Sequence, residues 1–449
     1  MTTKVYAKSP RRRSTWAIGG CLVAASLGLF AAGIPSEPHF ADESAFLAQS
    51  YYADLSRDDP RWLEYMALDL PPLPKYLIGL SLRSCGFDRP ARASAVRWYK
   101  DNHHRADLAP SYLDPPTPIL RAARWPSAFF GALGVGAIYA LGTVAAGDRR
   151  VGLAAALLLA ANPLYRLSTH RAMADAPAEA LILSTLAGGL WTCREIQQGR
   201  RPLLAATIGG AFVGGVGGLA VLAKLNGGLG LMVVGAWAVL GGVFVPTWRR
   251  RSSMASFAAI AGVSAFGVFT AGNPLLTAPI PATMNADRAA ALGKTPITRA
   301  LAMVAHRRSV SMGAAAQFPR NATTSFGSKL GAVVVQGYGR FAPLGPPHHD
   351  SLVDYPRYAW SRDAGALLWL PVVVAGGVIA SRAGQEQRRR SRPPTAWAIP
   401  VYAVVATSTV AAFLPLAWDR YFLSIQPPSC LLAGFAAVAG LDRLRGSGR

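Results

Sequence analysis

Two adjacent carboxylates, Asp42 and Glu43, stand just beyond the first membrane-length apolar run of the chain, residues 16–34. Lys4, Lys8, Arg11, Arg12 and Arg13 precede that run. A basic flank favours the cytoplasmic side of a bilayer, so the acidic pair is expected to emerge on the outer face. Carboxylates at a membrane mouth suit chemistry or binding at the lipid–water boundary. Their plainer role is to cap a helix in water. Which applies depends on the other charged side chains that share the face.

Several candidates recur at the ends of later apolar runs. Lys75 and Tyr76 follow Pro71-Pro72 in LDLPPLPKYLIGL, which also reads simply as a proline-initiated helix. Arg124 lies in RAARWP at the start of the second run, where an arginine can snorkel to the interface. Arg171 and Asp175 occupy HRAMADAP, and Asp175 could serve only as a helix cap. Lys224 and Asn226 sit in LAKLNGG, and Arg420 and Tyr421 follow Asp419 in WDRY. A charge among apolar residues costs ~2–3 kcal/mol on insertion scales, so such residues tend to be paired or functional.

The elements that must position these groups are membrane helices. Of 449 residues, 51% are hydrophobic and only 15% charged, in long apolar blocks, which defines a polytopic membrane protein. The net charge of +23 comes largely from arginine clusters between blocks, as in cytoplasmic loops, and so does not argue for nucleic acid. Cys21, Cys85, Cys193 and Cys430 lack metal-ligand spacing, and a disulfide framework is not expected. The first run is longer than a signal-peptide core and reads as an anchor. Ten spans are expected, near 16–34, 121–146, 151–168, 176–193, 203–222, 226–246, 256–274, 363–381, 396–417 and 421–441. With both termini cytoplasmic, the inside loops (147–150, 194–202, 247–253, 381–394 and the tail) are all basic. That agreement requires segment 71–85 to lie at the outer surface rather than cross. Two long outer segments result, 35–120 and 275–362, suited to amphipathic helices in the interface, within one integral membrane domain spanning 1–449. Gly214-Gly215-Val216-Gly217-Gly218 lies within a span, where glycines permit close helix packing; no phosphate-loop or dinucleotide signature is present. On this topology Asp42, Asp175, Lys224, Asp419 and Arg420 gather on one face.

The order of these motifs (DE after span one, PPL-K-Y, R-x-P-S-A, N-P then R-A-M-x-D-x-P, A-K-x-N-G, and R-Y before the last span) resembles the GT-C glycosyltransferases. It is similar above all to the protein O-mannosyltransferase and aminoarabinose-transferase branch. The resemblance covers roughly residues 10–230 and returns near 415–430. It implies an all-α polytopic GT-C-like fold with about ten transmembrane helices in a cell membrane. It also implies transfer of a sugar from a polyprenyl-phosphate donor to a protein, lipid or glycan acceptor on the outer face.

Residue by residue, the resemblance implies Asp42 as general base, with Glu43 supporting acceptor placement. Asp175 is the second outer carboxylate, which with Asp42 holds a divalent cation in some branches. Lys224, Arg420 and Arg124 correspond to positions that meet the carrier phosphate, and Lys75, Tyr76, Arg171, Asn226 and Tyr421 complete the substrate-binding set. The chemistry suits these residue types: a base on the attacking hydroxyl, cations on the leaving phosphate, and inversion in one displacement. His103-His104, in a segment 88–120 that the resemblance does not cover, reads as solvated rather than as a ligand pair. The outer segment 275–362 carries a basic excess, expected either to draw anionic lipid or simply to be solvated. The competing reading is a transporter or lipid flippase. No internal repeat is found, and the charges sit at span ends rather than mid-membrane.

Overall fold

An apolar segment inside lipid must satisfy its own backbone hydrogen bonds, and a single segment can do so only as a helix. The computed structural model describes residues 11–87, 115–245, 247–319, 321–343 and 364–446. Its first half contains α1 (Arg11–Gly33), α2 (Ala41–Ala48), α3 (Tyr65–Asp69), α4 (Leu73–Ser84), α5 (Thr117–Ala146), α6 (Arg149–Ala161), α7 (Pro163–His170), α8 (Asp175–Gln198) and α9 (Pro202–Ala223). There follow α10 (Gly228–Phe244), α11 (Trp248–Gly272), α12 (Ala286–Leu292), α13 (Pro296–Gln317), α14 (Phe326–Ala332), α15 (Ala364–Arg389), α16 (Ala398–Phe413) and α17 (Gln426–Gly446). Extended pairing among the described residues is limited to one isolated antiparallel bridge, Ala322 with Leu416.

Among the described residues eight segments are long and apolar enough to cross a membrane, and the bent pair α6–α7 makes a ninth if it counts as one span. Helix α8, 24 residues long and mostly buried over its first two thirds, covers the segment expected at 176–193 but is not among these; Asp175 and Glu179 in its first turns lower its apolarity. Eight or nine of the ten expected spans are therefore found among the described residues, one of them with a changed shape. The span expected at 151–168 bends by 62° between α6 and α7. Pro163 cannot continue the α6 ladder, and the Asn162 side chain caps the new helix by accepting from the Tyr165 N–H at 2.9 Å. Helix α4 is 12 residues, about 18 Å at 1.5 Å per residue, too short to cross, as the charge pattern required.

Helix α8 packs centrally between α5 and α9, and α9 lies against α11. The latter contact is a small-residue seam. A Cβ on Gly214 would stand 2.3 Å from the Ala261 carbonyl oxygen, and one on Gly218 would stand 2.6 Å from that of Ala265. Close approach of the two backbones therefore needs glycine at both positions.

At the end of the bundle where α1 ends, the segments that follow α1 and α11 form a cap. Trp62 is buried with its ring 4.8 Å from that of Tyr52 and 5.9 Å from that of Tyr76. Arg307 of α13 pairs with Asp69 of α3, and Arg57 donates to the Ala271 carbonyl at the end of α11. On α13, Ile297, Leu301, Val304 and Met312 are exposed along one face, the pattern of a helix resting in the interface.

Candidate functional site

Glu43 and Arg124 fix the local frame. Both are buried, at 0% and 2% exposure. Arg124 Nε donates to Glu43 Oε1 at 2.9 Å and Nη2 to Oε2 at 2.7 Å. Its remaining N–H groups donate to the carbonyls of Ile34 (3.1 Å), Glu37 (2.7 Å) and Pro38 (2.8 Å). All five guanidinium donors are thus used. Glu43 also accepts from the Phe40 N–H at 3.0 Å and the Ala172 N–H at 2.7 Å. The pair joins the chain after α1, the start of α2, helix α5 and the loop before α8. The expectation that Glu43 supports an acceptor and Arg124 meets a phosphate is revised on this ground: neither has a free donor or an exposed atom to offer.

Asp42 precedes Glu43 by one residue, which on a helix turns its side chain about 100° away. It is 39% exposed and pairs with Arg420 Nη1. The Arg420 guanidinium lies 5.2 Å from the Trp418 ring centre and 5.6 Å from that of Tyr421. Trp418 is held by Phe318 at 5.2 Å between ring centres, and the neighbouring strand-like bridge ties Ala417 N–H to the Asn321 carbonyl at 2.8 Å. Asp175 pairs in turn with Lys224, whose Nζ donates to Oδ1 at 2.7 Å. Two carboxylate–cation pairs, one joining the two ends of the sequence and one joining residues of its middle, therefore meet at one face.

Asp175, Arg420, Asp419 and Arg171 line a single cleft of ≈ 320 Å³, walled by Phe40, Leu164 and Leu423. Arg171 is buried, its Nε on Glu37 Oε1 at 3.1 Å and its guanidinium 4.1 Å over the Phe40 ring. It gives the cleft a fixed positive wall.

The remaining candidates lie outside the cleft lining. Lys75 is fully buried, donates from Nζ to the Met66 carbonyl at 2.7 Å and lies 4.5 Å over the Tyr52 ring. Burial pushes its ammonium down to about 7, with Asp69 opposing that shift. It holds the outer cap together, which replaces the expected substrate contact. Tyr76 is half-buried, its hydroxyl 3.4 Å from the Gly272 carbonyl. Asn226 is exposed on the turn after Lys224, and Tyr421 is half-buried beside Arg420. His103-His104, and Arg320 and Arg357 of the basic segment 275–362, lie outside the described residues.

Asp42 and Asp175 each face a cation, and among the described residues no group of three or more His, Cys, Asp or Glu side chains could hold a metal ion.

Sequence reasoning assigned no task to Asp419, 6% exposed, or to Glu179, 2% exposed. The Asp419 carboxylate accepts from the Arg420 N–H at 2.6 Å and so shapes the turn that carries Arg420. Glu179 Oε2 accepts from Ser424 Oγ at 3.0 Å, tying α8 to that same turn. The i, i+4 spacing of Asp175 and Glu179 within one apolar run was the available signal.

Among the described residues the chain is a helical membrane bundle with charged pairs gathered at one end above a central, largely buried helix, and its fold is similar to that of solved GT-C proteins. ArnT from Cupriavidus metallidurans, solved with undecaprenyl phosphate bound, superposes at a TM-score of 0.50 and 15% identity, over 94% of this chain and 60% of that one. The Archaeoglobus fulgidus oligosaccharyltransferase, solved with a tethered acceptor peptide, superposes at 0.52 and 13% identity, over 95% of this chain and 50% of that one. The same enzyme in complex with zinc and sulfate gives 0.53 and 14%, over 94% and 49%. The chain thus spans 49–60% of the length of these proteins. No protein-family model and no curated protein matches its sequence.

Proposed function

We propose that this protein is a membrane glycosyltransferase that moves a sugar from a polyprenyl-phosphate donor to an acceptor hydroxyl at the outer face of the membrane. The observation that carries the reading is the pair of carboxylate–cation contacts, Asp42–Arg420 and Asp175–Lys224, at one cleft of a GT-C bundle. Support also comes from the lipid phosphate bound to ArnT and the acceptor peptide on the oligosaccharyltransferase.

In the proposed reaction the Asp42 carboxylate takes the proton of the acceptor hydroxyl as its oxygen attacks the anomeric carbon. The bond from that carbon to the phosphate oxygen breaks, and the polyprenyl phosphate leaves with the bonding electrons. One displacement inverts the anomeric centre. A positioned base contributes about 10²–10⁴-fold. A phosphate is already a good leaving group, so it needs charge more than a proton, which Arg420 and Lys224 supply once their guanidinium and ammonium turn from carboxylate to phosphate. Arg171 adds a fixed positive field. The basic loops at the other end of the bundle support a cytoplasmic position for that end and an outer position for the cleft.

The test uses purified protein in vesicles, a panel of labelled polyprenyl-phosphate sugars and a mixed pool of peptide, lipid and glycan acceptors. Label is expected to pass to an acceptor with at least one donor. Label that stays on every carrier as long as in protein-free vesicles would sink the reading.

A further inference from the structure

A second concavity lies at the opposite end of the bundle, between α8, α10 and the start of α16. Leu190, Trp237, Leu240, Phe244, Trp397 and Val401 wall a groove of ≈ 450 Å³. The two indole N–H groups are already used: Trp237 donates to the Ala398 carbonyl at 3.0 Å and Trp397 to the Ser381 carbonyl at 2.8 Å. The Phe244 and Trp397 rings pack with centres 5.1 Å apart. Above this apolar floor stand two exposed arginines. Arg194 lines the groove, and the Arg388 guanidinium lies 5.0 Å over the Phe244 ring. No carboxylate lines the groove among the described residues, and Arg194 Nε donates to the neutral Gln198 Oε1 at 3.4 Å.

Depth along α8 places these arginines. From Asp175 to Arg194 is nineteen residues, ~28 Å at 1.5 Å per residue, close to the ~30 Å hydrocarbon thickness of a bilayer. With Asp175 at one headgroup level, Arg194 stands at the other, where Arg200, Arg201 and Arg249 also emerge.

We propose that this groove binds one anionic phospholipid of the leaflet opposite the cleft. The phosphate sits between Arg194 and Arg388, and an acyl chain lies on the Trp237, Phe244 and Trp397 walls. The apolar floor selects a lipid over a free anion, because a small ion would leave the aromatic walls uncovered. The uncompensated guanidiniums select an anionic over a zwitterionic headgroup. The site is separate from the cleft and does not depend on the reaction proposed there.

Native mass spectrometry of the full chain in detergent, titrated with phosphatidylglycerol or with phosphatidylcholine of the same chains, tests this. One phosphatidylglycerol should be retained in preference to phosphatidylcholine, and millimolar inorganic phosphate should not displace it. Arg194→Glu with Arg388→Glu should weaken retention on the order of tenfold or more. Arg443→Glu with Arg445→Glu, an equal charge change on the exposed end of α17, should leave it in place. Leu240→Trp, which fills the groove and leaves both arginines, should also abolish retention. Equal loss in the two charge-reversal doubles, equal retention of phosphatidylcholine, displacement by inorganic phosphate, or retention unchanged by Leu240→Trp would each overturn the proposal.

Discussion

At the scale of the residue, two neighbouring carboxylates divide into unlike tasks. Glu43 spends every lone pair on Arg124 and two backbone N–H groups, while Asp42 is partly exposed and pairs with Arg420, which lines the cleft. Removing one partner of a buried ion pair leaves the other charge uncompensated, at a cost of about 3–5 kcal/mol. Arg124→Met is therefore expected to lower the thermal unfolding midpoint steeply. Asp42→Asn should leave that midpoint near the parent value, and differential scanning fluorimetry separates the two. Lys75 gives a pH test. Its folded value near 7 lies below the ordinary lysine value of 10.5, so between about 7 and 10.5 the unfolded chain holds more protons than the folded one. Stability must then rise with pH across that window. The thermal midpoint should climb from about pH 7 upward, and Lys75→Met should flatten the climb. The sequence made the acidic pair, Asp175 and the cations legible, because charges at the ends of apolar runs stand out. It did not separate Asp42 from Glu43 or assign Arg124, since those depend on a 100° helical rotation and on three carbonyls brought together only by the fold.

At the scale of the element, the apolar runs and basic loops were sufficient to read eight or nine of the spans and to mark α4 as too short to cross. The break between α6 and α7 was less visible, because the run is apolar on both sides of Asn162-Pro163. There the backbone preference of one proline and the cap from one asparagine outweigh continuous apolarity. The glycine seam between α9 and α11 was legible as a composition, and the structure adds its partner. Gly214→Leu is expected to push α9 off the Ala261 backbone and to yield a protein that aggregates on extraction, whereas Gly215→Leu, whose Cβ meets nothing within 4 Å, should extract normally. Size-exclusion profiles of the two variants decide it.

At the scale of the whole molecule, the account requires the cleft and the outer cap to share one side of the membrane, opposite the basic loops. In a cysteine-free background, a membrane-impermeant thiol reagent should reach Asp58→Cys and Asp287→Cys in intact cells, and Arg200→Cys and Arg249→Cys only after permeabilisation. All four positions are exposed in the structure. The fold class was readable in the sequence because motif order and topology travel together along the chain. The two ion pairs that define the cleft were not, because they join residues 378 and 49 positions apart. The central claim is that Asp42 is the base of a sugar transfer from a polyprenyl-phosphate carrier. Its most direct test is the initial rate of label transfer by purified Asp42→Asn against the parent protein, at saturating donor and with unfolding midpoints matched. The account predicts a fall of about 10²–10⁴-fold; transfer by Asp42→Asn at the parent rate would contradict it.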